Sequence, residues 1–111
     1  MYPDEQVLAT DDFGLLHNDG GFTNGRLILT QKRLVFVIGG GLFGPKQRTD
    51  HAIDLHLIDN ISLEEAQSLG VNLRVDFSTF EEPATMRYHG RLNQAKKIVG
   101  IINERMNYGL G

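Results

Sequence analysis

The stretch Gly25-Arg26-Leu27-Ile28-Leu29-Thr30-Gln31-Lys32-Arg33-Leu34-Val35-Phe36-Val37-Ile38 indicates the fold more clearly than any other part of the chain. Its two runs, residues 25–30 and 33–38, are rich in isoleucine, valine and leucine, as strands are. Only Gln31 and Lys32 separate them, and a parallel crossover needs about a dozen residues or more. We therefore predict an antiparallel β-hairpin here.

Strict alternation of apolar and polar residues marks a second strand. In residues 71–77 every odd-numbered position is Val, Leu or Phe and every even-numbered one is Asn, Arg or Asp, which is typical of a half-buried strand in an antiparallel sheet. Gly70 precedes this run and provides a break. Further strands are predicted at residues 6–10, 14–17, 53–57, 61–65 and 85–89.

The period changes near the end of the chain. From Leu92 the apolar residues Ala95, Val99, Ile102 and Met106 follow at spacings of three and four, and Ile98 and Ile101 widen this stripe. The spacing predicts an amphipathic helix over residues 92–106, ended by Gly109 and Gly111. A coiled-coil seam is the alternative to a helix packed on the sheet. With no alternating βαβ units, we expect a mainly β domain, a bent sheet or partly open barrel, covered by this helix.

Length and composition place the chain among soluble intracellular domains. Its 111 residues suit one domain, which we assign to residues 1–111. The net charge of −3 argues against nonspecific nucleic-acid binding, which requires a basic face. There are no cysteines, no basic and apolar leader and no run long enough to span a membrane. We expect a cytoplasmic protein, with peripheral membrane association as an extension.

The residues 25–37 closely resemble the signature hairpin of GRAM and bacterial pleckstrin-homology-like domains, Gly-x-Leu-x-Leu-Thr, then Lys-Arg-Leu and a hydrophobic strand. The acidic-apolar entry of these domains is similar to Asp4-Glu5-Gln6-Val7-Leu8, and their next strand is similar to residues 53–61. The resemblance covers roughly residues 4–106. It implies a seven-stranded, strongly bent sheet capped by one helix, and it implies binding of lipid headgroups, membranes or proteins without catalysis.

The phosphoinositide site of pleckstrin-homology domains generally has several lysines and arginines on the first two strands and the loop that joins them. Here residues 17–24 contain Asp19 and no cation before Arg26. This departure argues against tight phosphoinositide binding and favours protein partners or self-association. The hairpin motif itself has a structural interpretation, in which Thr30 caps the turn and Lys32 and Arg33 keep its tip solvated.

A glycine-rich segment, residues 39–51, is the most unusual part of the chain. It superficially resembles a phosphate-binding loop, but Pro45 precedes Lys46 and removes a backbone N–H that such a loop would donate. Two interpretations remain, a plain connection or a contact loop with Leu42 and Phe43 at its tip. In the second, the candidate contact residues in this segment are Leu42, Phe43, Lys46, Arg48 and His51.

Charge is unevenly distributed along the chain. The first 25 residues hold five acids and no lysine or arginine, whereas four of the eleven bases lie between residues 87 and 97. These bases, Arg87, Arg91, Lys96 and Lys97, are the second set of candidate contact residues. Solvated faces of opposite sign are the alternative to a docking surface.

Catalytic, metal-binding and cofactor-binding residues are not predicted. The four histidines lack the spacing of a zinc site, and adjacent acid pairs such as Asp11-Asp12 point to opposite faces of a strand. Asp54 and His56 share a face if both lie on a strand, but a solvated surface pair is the simpler interpretation. We therefore expect a non-catalytic module that binds a protein partner or a membrane surface. The alternative is a self-assembling domain that pairs through sheet edges or through Ile98 and Ile101.

Overall fold

A computed structural model describes residues 4–39, 46–66 and 69–110, with side chains as far as Met106. In chain order the elements are β1 (Val7–Leu16), β2 (Phe22–Thr30), β3 (Arg33–Ile38), β4 (Arg48–Asp54), a 3₁₀ helix (Leu55–Leu57), β5 (Ile58–Glu65), β6 (Val71–Ser78), β7 (Pro83–Gly90) and α1 (Leu92–Leu110). The predicted order of seven strands and one C-terminal helix is confirmed.

All seven strands form one antiparallel sheet in the order β4-β3-β2-β1-β7-β6-β5. The two halves of the sheet meet where β1 pairs with β7, through Gly14 opposite His89 and Leu15 opposite Tyr88. β4 and β5 are the edges and do not pair with each other, so the sheet is bent but stays open. Of the two predicted forms, the open bent sheet is the one observed.

The core lies between one face of this sheet and α1. Leu27, Leu29, Phe36, Leu73 and Tyr88 are fully buried on the strands. Ala95, Ile98 and Ile102 supply the buried face of α1, while Lys96, Lys97, Asn103 and Glu104 face solvent. The helix is therefore packed on the sheet as predicted. Because Ile98 is only 1% exposed, it is unavailable for self-assembly, and that part of the prediction is wrong.

Several predicted boundaries differ from the structure. The two strands predicted at residues 6–10 and 14–17 are one continuous strand, β1 (Val7–Leu16), because Asp11 and Asp12 stay paired to β2 opposite Leu27 and Arg26. The segment 53–57 is the end of β4 followed by the 3₁₀ helix, so Asp54 and His56 do not share a strand face. The segment 39–51 is shorter as a loop than predicted, since β4 begins at Arg48. The helix also continues past residue 106, through Gly109.

Two glycines permit the close packing at the bend. A Cβ on Gly25 would lie 2.4 Å from the carbonyl oxygen of Val37 and 2.6 Å from Cζ of Phe36. A Cβ on Gly90 would lie 2.4 Å from the ring of Phe13. No side chain fits at either position, so these glycines allow β2 and β7 to curve around the buried rings.

Candidate functional site

The β2–β3 hairpin binds the N-terminal residues 4–6 through side-chain hydrogen bonds. The Thr30 hydroxyl accepts the backbone N–H groups of Lys32 and Arg33, both at 3.1 Å, and donates to the Glu5 carboxylate at 2.7 Å. Arg33 Nε donates to both oxygens of Glu5 at 3.1 Å, and the Glu5 side chain is 0% exposed. Thr30 therefore caps the turn as predicted, and Arg33 holds a buried carboxylate.

The tip of the same hairpin holds the residues on either side of Glu5. The side-chain amide of Gln31 donates to the carbonyl of Asp4 and accepts the N–H of Gln6, both at 2.7 Å. Lys32 pairs with Asp4 and, through this hydrogen bond, lowers the pKa of the Asp4 carboxyl. The acidic entry and the hairpin motif are thus two halves of one structural contact, and this contact carries no ligand site.

His51 is turned into the core. Its Nε2 lies 2.6 Å from the Tyr88 hydroxyl and its Nδ1 lies 2.7 Å from Asp50, so β4 is tied to β7 across the core. The rings of Phe36 and His51 stack with centroids 5.5 Å apart. Burial, together with the charge of Asp50, raises the pKa of Tyr88, which excludes it as an activated nucleophile at neutral pH. His51 acts here as a packing and positioning residue.

Arg87 also makes an intramolecular contact, in a ladder of charges on the outer face of β5, β6 and β7. Arg87 Nε donates to Glu64 at 2.8 Å, and Arg74 bridges Glu64 at 3.4 Å and Asp76 at 3.1 Å. The Thr85 hydroxyl, followed by Arg74, lowers the pKa of Asp76. Arg74 and Arg87 lie directly opposite each other on β6 and β7, and Glu64 and Asp76 compensate their like charges.

Exposed apolar side chains gather at the end of the sheet where α1 begins. Leu69 is 95% exposed, Phe22 49% and Leu92 42%. The Phe22 ring lies 5.2 Å from that of His89, and a Cβ on Gly70 would lie 3.4 Å from His89 Cε1. Leu69 precedes Gly70, and Leu92 lies two residues after Gly90, which also touches Gly70. Phe22 therefore contacts His89 directly, and Leu69 and Leu92 lie close in sequence to Gly70 and Gly90, which pack beside that ring contact.

Several cations are sequence neighbours of residues in this region. Arg91 separates Gly90 from Leu92, and Lys97 lies about 8 Å further along the helix axis at 1.5 Å per residue. Gln47 lines a cavity of about 980 Å³ together with Phe22 and His89, and its sequence neighbours are Lys46 and Arg48. We call this region the apolar–basic end and define it by eight residues: Phe22, Leu69, Leu92, Lys46, Arg48, Arg91, Lys96 and Lys97.

Electrostatics distinguish the apolar–basic end from the rest of the surface. In the described parts of the chain its five cations make no ion pair, whereas Arg26, Arg74 and Arg87 on the outer face of the sheet all do. α1 has no acid in its first turn, so Arg91 and Lys96 reinforce the positive end of the helix dipole instead of neutralising it. Asp19 and Glu65 are acids close by in sequence, and Asp19 accepts the N–H of Gly21 at 2.9 Å.

The structure thus sorts the predicted contact residues into three groups. Lys46, Arg48, Arg91, Lys96 and Lys97 are exposed. His51 and Arg87 are engaged in contacts within the chain. Leu42 and Phe43 lie outside the described residues, although Gly39, which leads into that segment, lines the same cavity as Phe22. Sequence reasoning missed Phe22, Leu69 and Leu92, because only folding exposes them together.

The described residues are 4–39, 46–66 and 69–110. In that part of the chain no three metal-ligating side chains come together, and no helix is long and apolar enough to cross a membrane. Within the same residues, every buried side-chain nitrogen or oxygen has a hydrogen-bond partner.

Solved structures with the same architecture identify the fold. The C-terminal domain of an unknown protein from Leishmania infantum superposes with a TM-score of 0.60 at 14% identity, over 92% of this chain and 85% of that one. A duf1696 family protein with a pleckstrin-homology domain from Shewanella loihica PV-4 superposes at 0.53 and 20% identity, over 96% and 81%. The chain has a pleckstrin-homology-like fold.

The same fold occurs inside larger proteins. The DH/PH domains of PDZ-RhoGEF, solved in complex with GTP-γ-S-activated RhoA, superpose with a TM-score of 0.67 at 7% identity. This chain is covered over 93% of its length but spans only 30% of that protein chain. No protein-family model matches the sequence, and no curated protein matches it significantly. At these identities the pleckstrin-homology-like neighbours establish the fold alone.

Proposed function

We propose that this chain is a non-catalytic pleckstrin-homology-like interaction module of the GRAM type, which attaches to an anionic membrane surface through its apolar–basic end. One observation carries the proposal: Phe22, in contact with His89, is exposed, as are Leu69 beside Gly70 and Leu92 beside Arg91, and Arg91 makes no ion pair within the described residues. We also propose that residues 1–111 act as one domain, in the cytoplasm and peripherally on the membrane.

Simple energies support weak, reversible attachment. Full burial of one leucine or phenylalanine side chain contributes about 1.5–3 kcal/mol, and each lysine or arginine near an anionic surface adds about 1 kcal/mol. Leu69 is almost wholly exposed, so its entire side chain is available for burial in lipid. Asp19 lies in the loop between β1 and β2, and its negative charge would repel a phosphoinositide headgroup bound there. The proposed contact is therefore with the charged membrane surface as a whole.

Vesicle co-sedimentation tests the proposal with a matched pair of variants. We expect binding to vesicles containing phosphatidylglycerol, weaker binding at high salt, and none to phosphatidylcholine vesicles, because the charge contribution is screened over about 10 Å at 0.1 M salt. Leu69→Ser should weaken binding about tenfold, which corresponds to the loss of one leucine contact. Phe80→Ser is the control, since Phe80 is also fully exposed but lies in the turn between β6 and β7.

The charged part of the surface is tested separately. Lys96→Glu together with Lys97→Glu should abolish sedimentation with anionic vesicles while leaving the unfolding transition unchanged, because both side chains face solvent. Leu42→Ser with Phe43→Ser tests whether the glycine-rich segment joins the contact. Equal sedimentation with neutral and anionic lipid, or equal losses for Leu69→Ser and Phe80→Ser, would exclude membrane attachment through this end.

A protein partner is the second candidate, because pleckstrin-homology-like domains occur in protein complexes such as that of PDZ-RhoGEF with RhoA. The same end would then bind an acidic protein surface. Affinity capture with the parent chain and with the doubly substituted Lys96/Lys97 variant separates the two candidates. A protein captured only by the parent chain, with no vesicle binding by either, favours the protein partner.

A further inference from the structure

A second surface lies at the opposite end of the molecule from the apolar–basic end. Gln31 and Lys32, just beyond β2, and Arg105, near the end of α1, line a groove of about 1030 Å³. β2 extends about 27 Å from Phe22 to Thr30, and α1 extends about 20 Å from Leu92 to Arg105. Gln31, Lys32 and Arg105 therefore lie far from Phe22 and Leu92, whereas Ile101, near the middle of α1, is one helical turn from Lys97.

Aliphatic side chains from four parts of the chain form the walls of this groove. They are Leu8 of β1, Leu55 of the 3₁₀ helix, Ile58 of β5, and Ile101, Ile102 and Met106 of α1. Ile58 and Ile102 are buried and belong to the core, whereas Leu8, Leu55, Ile101 and Met106 keep part of their surface exposed. The groove is thus an apolar strip where the open sheet and the helix meet.

Charges of both signs surround the apolar strip. Asp54 and Glu104 are the acids of the rim, and His56 and Arg105 are its bases. All four are exposed, and none forms an ion pair in the part of the chain that the structure describes. Lys32, the remaining charged residue of the rim, is paired with Asp4.

We infer that this groove is the contact surface of a symmetric homodimer, in which Arg105 of each chain faces Asp54 of the other. In an interface with two-fold symmetry the same patch meets itself, so every contact is made twice and both partners of each ion pair must lie within the patch. An apolar centre bordered by Asp54, Glu104, His56 and Arg105 meets that requirement.

Other occupants fit the groove less well. An anionic membrane would be repelled by Asp54 and Glu104, and an acidic peptide would meet the same two carboxylates. A basic peptide would meet Arg105, Lys32 and His56 in the same way. A second copy of the chain satisfies both signs at once. It also leaves Phe22, Leu69 and Leu92 of each subunit outside the interface, because none of them lines the groove.

Reciprocal charge reversal tests this interface. Sedimentation equilibrium of the parent chain from about 10 μM to about 1 mM should show a monomer–dimer equilibrium, as expected for a small, weak interface. Arg105→Glu alone and Asp54→Arg alone should each weaken dimerisation at least about tenfold, because like charges then meet twice across the interface. An equimolar mixture of the two variants should recover a heterodimer. In this heterodimer both ion pairs join opposite charges again. Asp54 of one variant faces Arg105 of the other as in the parent chain, and the two substituted positions form the second pair with the charges exchanged.

Controls separate a failed interface from a failed fold. Lys97→Glu carries the same charge change as Arg105→Glu on an exposed site of α1 outside the groove, and it should leave dimerisation unchanged. Thermal unfolding followed by circular dichroism checks that each variant is folded. Vesicle binding by Arg105→Glu should persist, so a failure here is distinguishable from a failure of the membrane proposal.

Three results would overturn the homodimer. The first is a parent chain that stays monomeric at about 1 mM. The second is a dimer with the same association constant in Arg105→Glu and Asp54→Arg as in the parent chain. The third is a monomer whose Ile101 and Met106 resonances respond only to an added neutral amphipathic helical peptide, which would make the groove a peptide-binding site instead.

Discussion

Gly25 shows how a single residue type decides the packing of this sheet. It lies opposite Phe13 on β1, and any side chain at this position would enter the space of Phe36 and of the Val37 carbonyl. Gly100 is a useful contrast, because it lies on the exposed side of α1 with nothing within 4 Å of its missing Cβ. Glycine is required at position 25, whereas at position 100 it only adds to the conformational entropy that is lost on folding.

The two glycines predict opposite effects of the same substitution. Gly25→Ala should lower the free energy of unfolding by about 1–3 kcal/mol, the usual cost of overpacking a core. Gly100→Ala should raise it by up to about 1 kcal/mol, the difference in helix propensity between the two residues. Urea unfolding of both variants beside the parent chain checks this. A neutral Gly25→Ala would show that β2 can move away from Phe36.

Tyr88 predicts how stability depends on alkaline pH. Because burial raises its pKa above the usual value of 10.0, the folded state favours the protonated phenol, and the stabilisation is fully present below that pH. As the pH rises above 10.0, the unfolded chain ionises first and the stabilisation is progressively lost. Tyr88→Phe should remove this alkaline loss from urea unfolding curves.

The same variant also has a cost at neutral pH. Tyr88→Phe removes the hydrogen bond to His51 Nε2, and a net loss of about 1 kcal/mol is expected. Parallel alkaline slopes for the parent chain and Tyr88→Phe would show that another group governs the pH dependence. Comparison near neutral pH and above the usual tyrosine pKa therefore separates the hydrogen bond from the ionisation.

At the scale of elements, the β2–β3 hairpin does more than reverse the chain. Its turn binds Asp4, Glu5 and Gln6, and the carbonyl of Lys32 accepts the N–H of Leu55 at 2.9 Å at the start of the 3₁₀ helix. One short turn therefore fixes both the beginning of β1 and the connection from β4 to β5. The motif that indicates the fold thus has a structural role within the chain, because its hydroxyl and guanidinium groups have specific partners.

Glu5, whose buried carboxylate contacts Arg33 of the hairpin, provides a test of this structural role. Glu5→Gln removes the charge that Arg33 contacts and weakens the hydrogen bond from Thr30, so a loss of about 3 kcal/mol is expected from a broken buried pair. Glu81→Gln is the control, because Glu81 is exposed in the turn between β6 and β7. Differential scanning calorimetry compares the two. Equal melting temperatures would show that the N-terminal segment detaches without cost.

At the scale of the whole molecule, the chain carries two surfaces at opposite ends of β2 and α1. One combines exposed apolar side chains with cations, and the other is an apolar groove with charges of both signs. Between them, the outer face of β5, β6 and β7 is neutralised by Glu64 and Asp76 against Arg74 and Arg87. A net charge of −3 therefore conceals a local positive end, which composition alone does not reveal.

The sequence by itself determined the element types and their order. Alternation in residues 71–77, the short gap after Thr30 and the spacing from Leu92 to Met106 are local signals, because a strand or helix buries its own periodic face. It also singled out Lys46, Arg48, Arg91, Lys96 and Lys97, which are exposed in the structure. It did not separate these from Arg87 and His51, whose partners, Glu64 and Tyr88, are remote in sequence.

Only the tertiary structure decided where the exposed apolar residues gather. Phe22, Leu69 and Leu92 come from three separate parts of the chain, and each alone is an ordinary surface residue. The segments that carry them are brought together because β1 pairs with β7 and because Gly70 packs against Gly90, two contacts between distant parts of the chain. Pairing across the sheet depends on the free energy of the whole core, so no local pattern in the sequence could predict this surface.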